Sequence, residues 1–315
     1  MMSARPRRCG VVRRDALRIA VAAGMATLLS AAGRAAGLER MSTRPIPSTG
    51  EALPVVGIGT WQTFDVGHAP ADRGPLAEVL RLFLEAGGKV VDSSPMYGRA
   101  EEVSGDLIAA LGARDRAFLA TKVWTQGREA GIAQMRNSMR LMRAGPTIDL
   151  IQVHNLVDWR THLATLRAWK DAGTVRYIGI THYTESAFDE LARIMREESI
   201  DFVQLPYSVG VRGAEDRLLP LAAERGVAVI VNRPFEGVDL FRSVRRHPLP
   251  ALAAELDCTS WAQLFLKFIL AHPAVSCVIP GTGKVEHLID NVGAGHGRLP
   301  DSAQRRRLLR AIEAL

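Results

Sequence analysis

A chain of 315 residues, 47% of them hydrophobic, has enough apolar material for one large α/β barrel or two ordinary domains. Its formal charge of +7 is concentrated at one end, because residues 1–37 carry seven arginines against the single acid Asp15. Residues 38–315 are therefore close to neutral, which leaves no basic face for phosphate backbones and excludes nucleic acid as the expected partner.

In chain order, the first element is a leader. Arg13-Arg14-Asp15-Ala16-Leu17-Arg18 precedes an apolar stretch from Ile19 to Ala32, with small residues at its end. A basic region followed by a short hydrophobic run is the pattern of a cleavable secretory signal peptide, here assigned to residues 1–37. The paired arginines resemble the twin-arginine export motif, with Ala16 in place of the usual aromatic residue. The run is broken by Gly24 and is short for a membrane span, so export machinery is the expected partner and no stable membrane anchor is expected. The expected location is periplasmic or secreted, or cytoplasmic should the leader be inert.

Residues 38–50 read as a polar, Pro-containing linker. From residue 51 to 315 the chain alternates. Short apolar runs at Val55–Gly59, Lys89–Asp92, Ala117–Thr121, Ile148–Val153, Arg176–Ile180, Phe202–Leu205, Val227–Val231 and Val275–Ile279 predict eight buried parallel strands. Helical spacing lies between them. Leu163, Leu166 and Trp169 share a face that ends at Gly173, and Phe188, Leu191, Ile194 and Met195 share another, with Thr184 as the expected N-cap. Eight strands alternating with helices predict one α/β domain closed as a (β/α)8 TIM barrel. Gly57 and Gly59 supply two of the three glycines of a dinucleotide-binding turn, so an open Rossmann sheet is the weaker reading. Two longer inserts, Arg233–Pro250 and 297–315, are expected to shape a site rather than the core.

Chemistry is carried by strand ends. Asp92, Lys122 and His154 each close an apolar run, 30 and 32 residues apart, and Tyr97 follows Asp92 by five. A barrel of this size repeats every ~31 residues and collects its chemistry at the C-terminal ends of its strands. The spacing therefore delivers all four residues to one rim. A tyrosine is a poor acid near neutrality, and a nearby ammonium favours its ionised form. Lys122 can supply that charge, Asp92 can hold the lysine, and His154 can orient a carbonyl oxygen toward the Tyr97 hydroxyl. Trp61 and Trp124 follow strand ends and are candidates for an apolar substrate pocket, ordinary rim packing being the alternative. Cys258 and Cys277 lack a neighbouring His or a Cys-x-x-Cys context, and the eight histidines show no paired spacing, so no metal site is expected.

Gly57-Ile-Gly-Thr-Trp61, Asp92 with Tyr97-Gly98, Lys122, His154, and Ile279-Pro-Gly-Thr282 with Asn291 together resemble the aldo-keto reductase superfamily, in order over about residues 50–292. The resemblance implies a barrel without a Rossmann domain that uses NADPH or NADH to reduce an aldehyde or ketone. It makes Tyr97 the acid, Lys122 its activator, Asp92 the lysine's partner and His154 the carbonyl-orienting residue. It also assigns cofactor contacts. Gly59, Thr60 and Trp61 form the first turn, Thr181 and His182 stand where the family often has Ser-Asn on the nicotinamide amide, and Gln204 completes that amide site. Tyr207 matches an aromatic near the ring. Gly281, Thr282 and Lys284 open the last barrel helix, whose N-terminus can receive phosphate, and Asp290 and Asn291 fall where the family contacts adenine. Gly283 and His287 stand where members that prefer NADPH usually carry arginine. Lys284 remains to meet a 2′-phosphate, so NADP(H) is expected over NAD(H). The alternative to an enzyme is an NADP(H)-binding redox-sensing subunit with little turnover, although a sensor has no need of a proton donor.

Overall fold

Period-two alternation along each strand dictates how the chain closes. The computed structural model describes residues 41–315, and residues 1–40, with the expected leader and the start of the expected linker, lie outside the described residues. The chain opens with two short antiparallel strands, β1 (Thr43–Pro45) and β2 (Ala52–Pro54). Eight parallel strands follow in sequential order: β3 (Ile58–Gly59), β4 (Val90–Asp92), β5 (Phe118–Val123), β6 (Ile148–His154), β7 (Val175–Thr181), β8 (Phe202–Pro206), β9 (Ala228–Asn232) and β10 (Val275–Val278). The sheet is closed by its two edges. Gly57 N donates to Val278 O at 2.8 Å, Val278 N to Val55 O at 2.9 Å, and Gly59 N to Pro280 O at 3.1 Å. The expected eight-stranded barrel is formed, with most strands ending within a residue or two of the expected positions.

Glycine is required at this seam. A Cβ on Gly59 would stand 2.9 Å from the Ile279 carbonyl oxygen, and one on Gly57 would stand 2.9 Å from Val90 Cβ. Both approaches are closer than a side chain tolerates, so these two glycines let the first strand meet the last.

Inward positions are apolar at the bottom of the barrel. Val90, Phe118, Ala120, Leu150, Tyr177, Phe202, Ala228, Ile230 and Cys277 form one buried cluster, in which the rings of Phe118, Tyr177 and Phe202 lie 5.5–6.0 Å apart. Outward positions pack under the helices α1 (Pro70–Glu85), α2 (Ala100–Ala110), α3 (Arg128–Leu141), α4 (Trp159–Asp171), α5 (Phe188–Glu197) and α6 (Leu218–Arg225). The same layer includes α7 (Asp239–Val244), α8 (Leu252–Glu255), α9 (Trp261–Leu270), α10 (Val285–Gly293) and α11 (Ser302–Glu313). The face expected from Phe188, Leu191, Ile194 and Met195 is the buried face of α5. Thr184 precedes a short 3-10 turn rather than capping α5, and its hydroxyl is engaged by His182 and Ser186. The insert at 233–250 carries α7, and the C-terminal tail is α11, started by a capping box between Asp301 and Gln304. Among the described residues no helix is long and apolar enough to cross a membrane.

The segment expected as a linker is structured from Thr43 onward. The β1–β2 hairpin buries Ile46 and Leu53 against the bottom of the barrel cluster. Glu51 accepts from the Tyr177 hydroxyl at 2.6 Å and pairs with Arg176. Polar composition hid this plug because only two of its residues face inward. Ile46→Ala is expected to lower unfolding stability by about 2–5 kcal/mol, read from urea denaturation; an unchanged midpoint would mean that the segment is only a linker.

Candidate active site

Toward the C-terminal rim the inward columns change from apolar to polar. Above Val90 stands Asp92, above Ala120 stands Lys122, and above Leu150 come Gln152 and His154. Farther round, Thr181 tops β7, Gln204 lies above Phe202, and Asn232 ends β9. Strand periodicity thus places these polar side chains on the inside.

Its centre is a buried ion pair. Lys122 is fully buried, and its Nζ donates to Asp92 Oδ2 at 2.6 Å and to the Ser93 carbonyl at 2.7 Å. The other carboxylate oxygen of Asp92 accepts from Gln204 Nε2 at 3.0 Å and Gln152 Nε2 at 3.4 Å. Burial works against the Lys122 ammonium, but Asp92, Tyr97 and the buried Glu101 outweigh it and the lysine stays raised above its ordinary value. Its charge is therefore fixed.

Tyr97 lies in the loop after β4, with Lys122 Nζ 5.1 Å from the centre of its ring and the His154 ring edge-on at 5.8 Å. Burial pushes the Tyr97 phenol up, and the Lys122 charge offsets only part of that rise. The expected net lowering by Lys122 is thus reversed: desolvation of the phenolate is the larger effect. The phenol is held in its protonated form, the state a proton donor needs.

His154 is neutral. Burial, with the Lys122 charge next and His182 after it, pushes the imidazole down to about 2. Its Nδ1 is hydrogen-bonded to Ser94 Oγ at 2.9 Å. An imidazole that accepts the serine hydroxyl at Nδ1 carries its proton on Nε2, where it can be given to an oxygen acceptor.

The residues expected at the cofactor fall into three groups. Thr181 and Gln204 are wired together, Thr181 Oγ1 donating to Gln204 Oε1 at 3.0 Å, and Asn232 Nδ2 donates to the same oxygen at 3.4 Å and to the His182 carbonyl at 3.1 Å. Gly59 ends β3, Thr60 and Trp61 begin the turn after it, and this segment abuts Gly281 across the seam. Thr60 Oγ1 is turned inward to the Asp92 carbonyl at 3.0 Å. Lys284, at the start of α10, and His287 are exposed, whereas Thr282 and Asn291 are buried and bonded to each other at 3.1 Å, with Asp290 between the two classes.

Tyr207 departs from its expected place. It is fully buried on the outer side of the barrel, packed against Phe268, and its hydroxyl donates to Glu215 and accepts from Arg305 at 2.6 Å. Gln204 faces inward, and three residues on is an odd step, so Tyr207 points away from the site. Trp61 and Trp124 are 53% and 42% exposed at the rim. Cys258 and Cys277 are both buried and free, Cys277 among the inner residues of the barrel.

Ser94, Gln152 and Asn232 complete the network without having been singled out in the sequence. Gln152 was within reach of the same argument, being two residues before His154 and so on its inward face. Its Oε1 has no partner although it is buried.

The sequence profile of the aldo/keto reductase family matches residues 55–306. The aldo-keto reductase YhdN of Bacillus subtilis is 27% identical over 206 residues, a match spanning 61% of this chain and 61% of that relative. The methylglyoxal reductase YeaE of Escherichia coli is 26% identical over 259 residues, covering 80% of this chain and 89% of its own. Among solved structures, an aldo/keto reductase of Klebsiella pneumoniae in complex with NADP and acetate superposes with a TM-score of 0.73 at 24% identity, covering 87% of this chain and 95% of that one.

The buried imidazole sets a pH dependence. Below about 6.5 an unfolded histidine takes up a proton that folded His154 refuses, so its contribution to stability is complete above that pH and drains away as pH falls toward about 2. Proton NMR of the His154 ring is expected to show no titration between about pH 5 and 8; a midpoint near 6.5 would mean that the ring is solvated.

Proposed function

The chain belongs to the aldo/keto reductase family, and we propose that it reduces an aldehyde or ketone to an alcohol at the rim site, with Tyr97 as general acid. The observation that carries the reading is the Asp92–Lys122 pair at 2.6 Å beside a protonated Tyr97 and a neutral His154. In this reading Tyr97 gives its proton to the carbonyl oxygen, and the fixed ammonium of Lys122 stabilises the phenolate left behind. His154 donates from Nε2 to the same oxygen and orients it. Asp92 holds Lys122 in place, while Gln152, Gln204 and Thr60 hold Asp92 and its backbone.

The residues present suit a nicotinamide dinucleotide. Thr181 and Gln204 place a hydroxyl and an amide side by side on the inner rim. The exposed Gly281 and Lys284 lead into the N-terminus of α10, which can receive phosphate. The cofactor, when bound, supplies the hydride. Lys284 precedes that helix and is exposed, and a contact from it to a 2′-phosphate would favour NADP(H) over NAD(H). The NADP-bearing solved relative supports the same choice.

Export is the companion proposal. The arginine pair and apolar run of residues 13–32 fit a twin-arginine leader. A folded-export route suits an enzyme that loads its nucleotide in the cytoplasm and carries it out tightly held.

Two measurements test these readings. Tyr97→Phe is expected to lower kcat for a reactive aromatic aldehyde with NADPH by about 100- to 10,000-fold while leaving NADPH affinity unchanged; full activity in the variant would remove Tyr97 from the acid role. For export, cell fractionation and sequencing of the mature N-terminus are expected to find a periplasmic chain starting near residues 33–38; an intact cytoplasmic chain beginning at Met1 would overturn the proposal.

A further inference from the structure

Among the described residues, six of the eight non-glycine residues with a left-handed backbone lie in loops that follow barrel strands on the rim, namely Gln62, Asn155, Leu156, Asp158, Arg233 and Glu236. A side chain held in that region is strained, and strain of this kind collects where a ligand must be met. Arg233 is the one cation among the six. It follows β9 directly with φ +49°.

Arg233 is exposed at the C-terminal end of β9, on the same rim as the site. The guanidinium lies 5.9 Å from the centre of the Tyr183 ring, and that ring is stacked parallel on His182 at 5.4 Å. His182 is tied back to the strand before Arg233, since its carbonyl accepts from Asn232. The stack therefore stands beside Thr181 and Gln204. Among the described residues no carboxylate pairs with Arg233 and no hydrogen bond takes up its guanidinium. The nearest acid in sequence, Glu236, is already committed to the Ser208 hydroxyl and to Gly210 N. Trp61, Met96, Trp124 and Tyr183 are large apolar or aromatic side chains exposed on loops of the same rim.

We propose that Arg233 is an oxyanion-binding residue of the active-site mouth, taking a carboxylate or phosphate in its planar fork while the aromatic collar takes the apolar body of the ligand. The inference rests on the reductase reading and deepens it. The oxyanion has two sources, a carbonyl substrate with an acidic group or the phosphates of the nucleotide, and these are separable.

The test uses the full chain and two variants. Arg233→Asn removes the cation while keeping a residue that tolerates a left-handed backbone, and Arg233→Lys keeps the charge without the fork. Three quantities are read: kcat/KM for 4-carboxybenzaldehyde against benzaldehyde with NADPH, calorimetric binding of both aldehydes to enzyme loaded with NADP+, and the Kd of NADPH. If the substrate supplies the oxyanion, Arg233→Asn lowers the preference for the carboxylated aldehyde, in turnover and in binding, by about ten-fold or more. Benzaldehyde and NADPH are then unaffected, and Arg233→Lys recovers part of the loss. If the cofactor supplies it, NADPH binding weakens by a similar factor and both aldehydes suffer alike. Equal aldehyde ratios and an equal NADPH Kd in wild type and Arg233→Asn overturn the proposal. A wild type that turns over neither aldehyde counts against the reductase reading alone, because the two binding measurements still report on Arg233.

Discussion

A lysine without solvent exposure can keep its charge only if the protein replaces the water it has lost, and the upper half of this barrel is organised around that requirement. Lys122 is given a carboxylate and a backbone carbonyl. Asp92, the carboxylate, is in turn given two glutamine amides from other strands. Removing a charge from water costs several kcal/mol, and a pair in low dielectric recovers this only when the remaining lone pairs are satisfied. β4, β5, β6 and β8 each contribute one partner, so the strand register that forms the barrel also satisfies the charge.

That constraint explains the state of the two groups beside the pair. Burial first, and then the permanent ammonium nearby, disfavour a second positive charge, and His154 is accordingly neutral. Toward Tyr97 the same ammonium is attractive, but in the resting protein it is overmatched by burial. In the proposed reduction the phenol would keep its proton until a carbonyl oxygen draws it, and the lysine's stabilisation would matter most once negative charge has developed. Electrostatic preorganisation of this kind is spent on the transition state rather than on the resting enzyme.

How much of this was legible in the sequence follows from what each signal depends on. Asp92, Lys122 and His154 could be placed together because a βα repeat is a rigid ruler, and a residue ending an apolar run sits at the rim whichever partners it has. Gln152 and Asn232 are also inward and polar by strand parity, but the partners they meet, Asp92 for Gln152 and His182 and Gln204 for Asn232, lie 60, 50 and 28 residues away and are set by three-dimensional register. Tyr207 was misplaced because family order was followed where strand parity pointed the other way. The β1–β2 plug escaped because a hairpin that seals a barrel needs few apolar residues, and Ile46 and Leu53 are diluted by Pro, Thr and Ser.

The seam between the first and last strands has a mechanical consequence. β3 is only two residues long, and its approach to the last strand depends on glycines and on a few backbone bonds. Local opening in a protein begins where protection is thinnest. The seam beside Gly59 and Gly281 is therefore a place where this cylinder can open locally, as a longitudinal slit. A molecule gripped by both lips of the slit acts as a clasp, and by mass action its affinity adds directly to the free energy that keeps the cylinder shut.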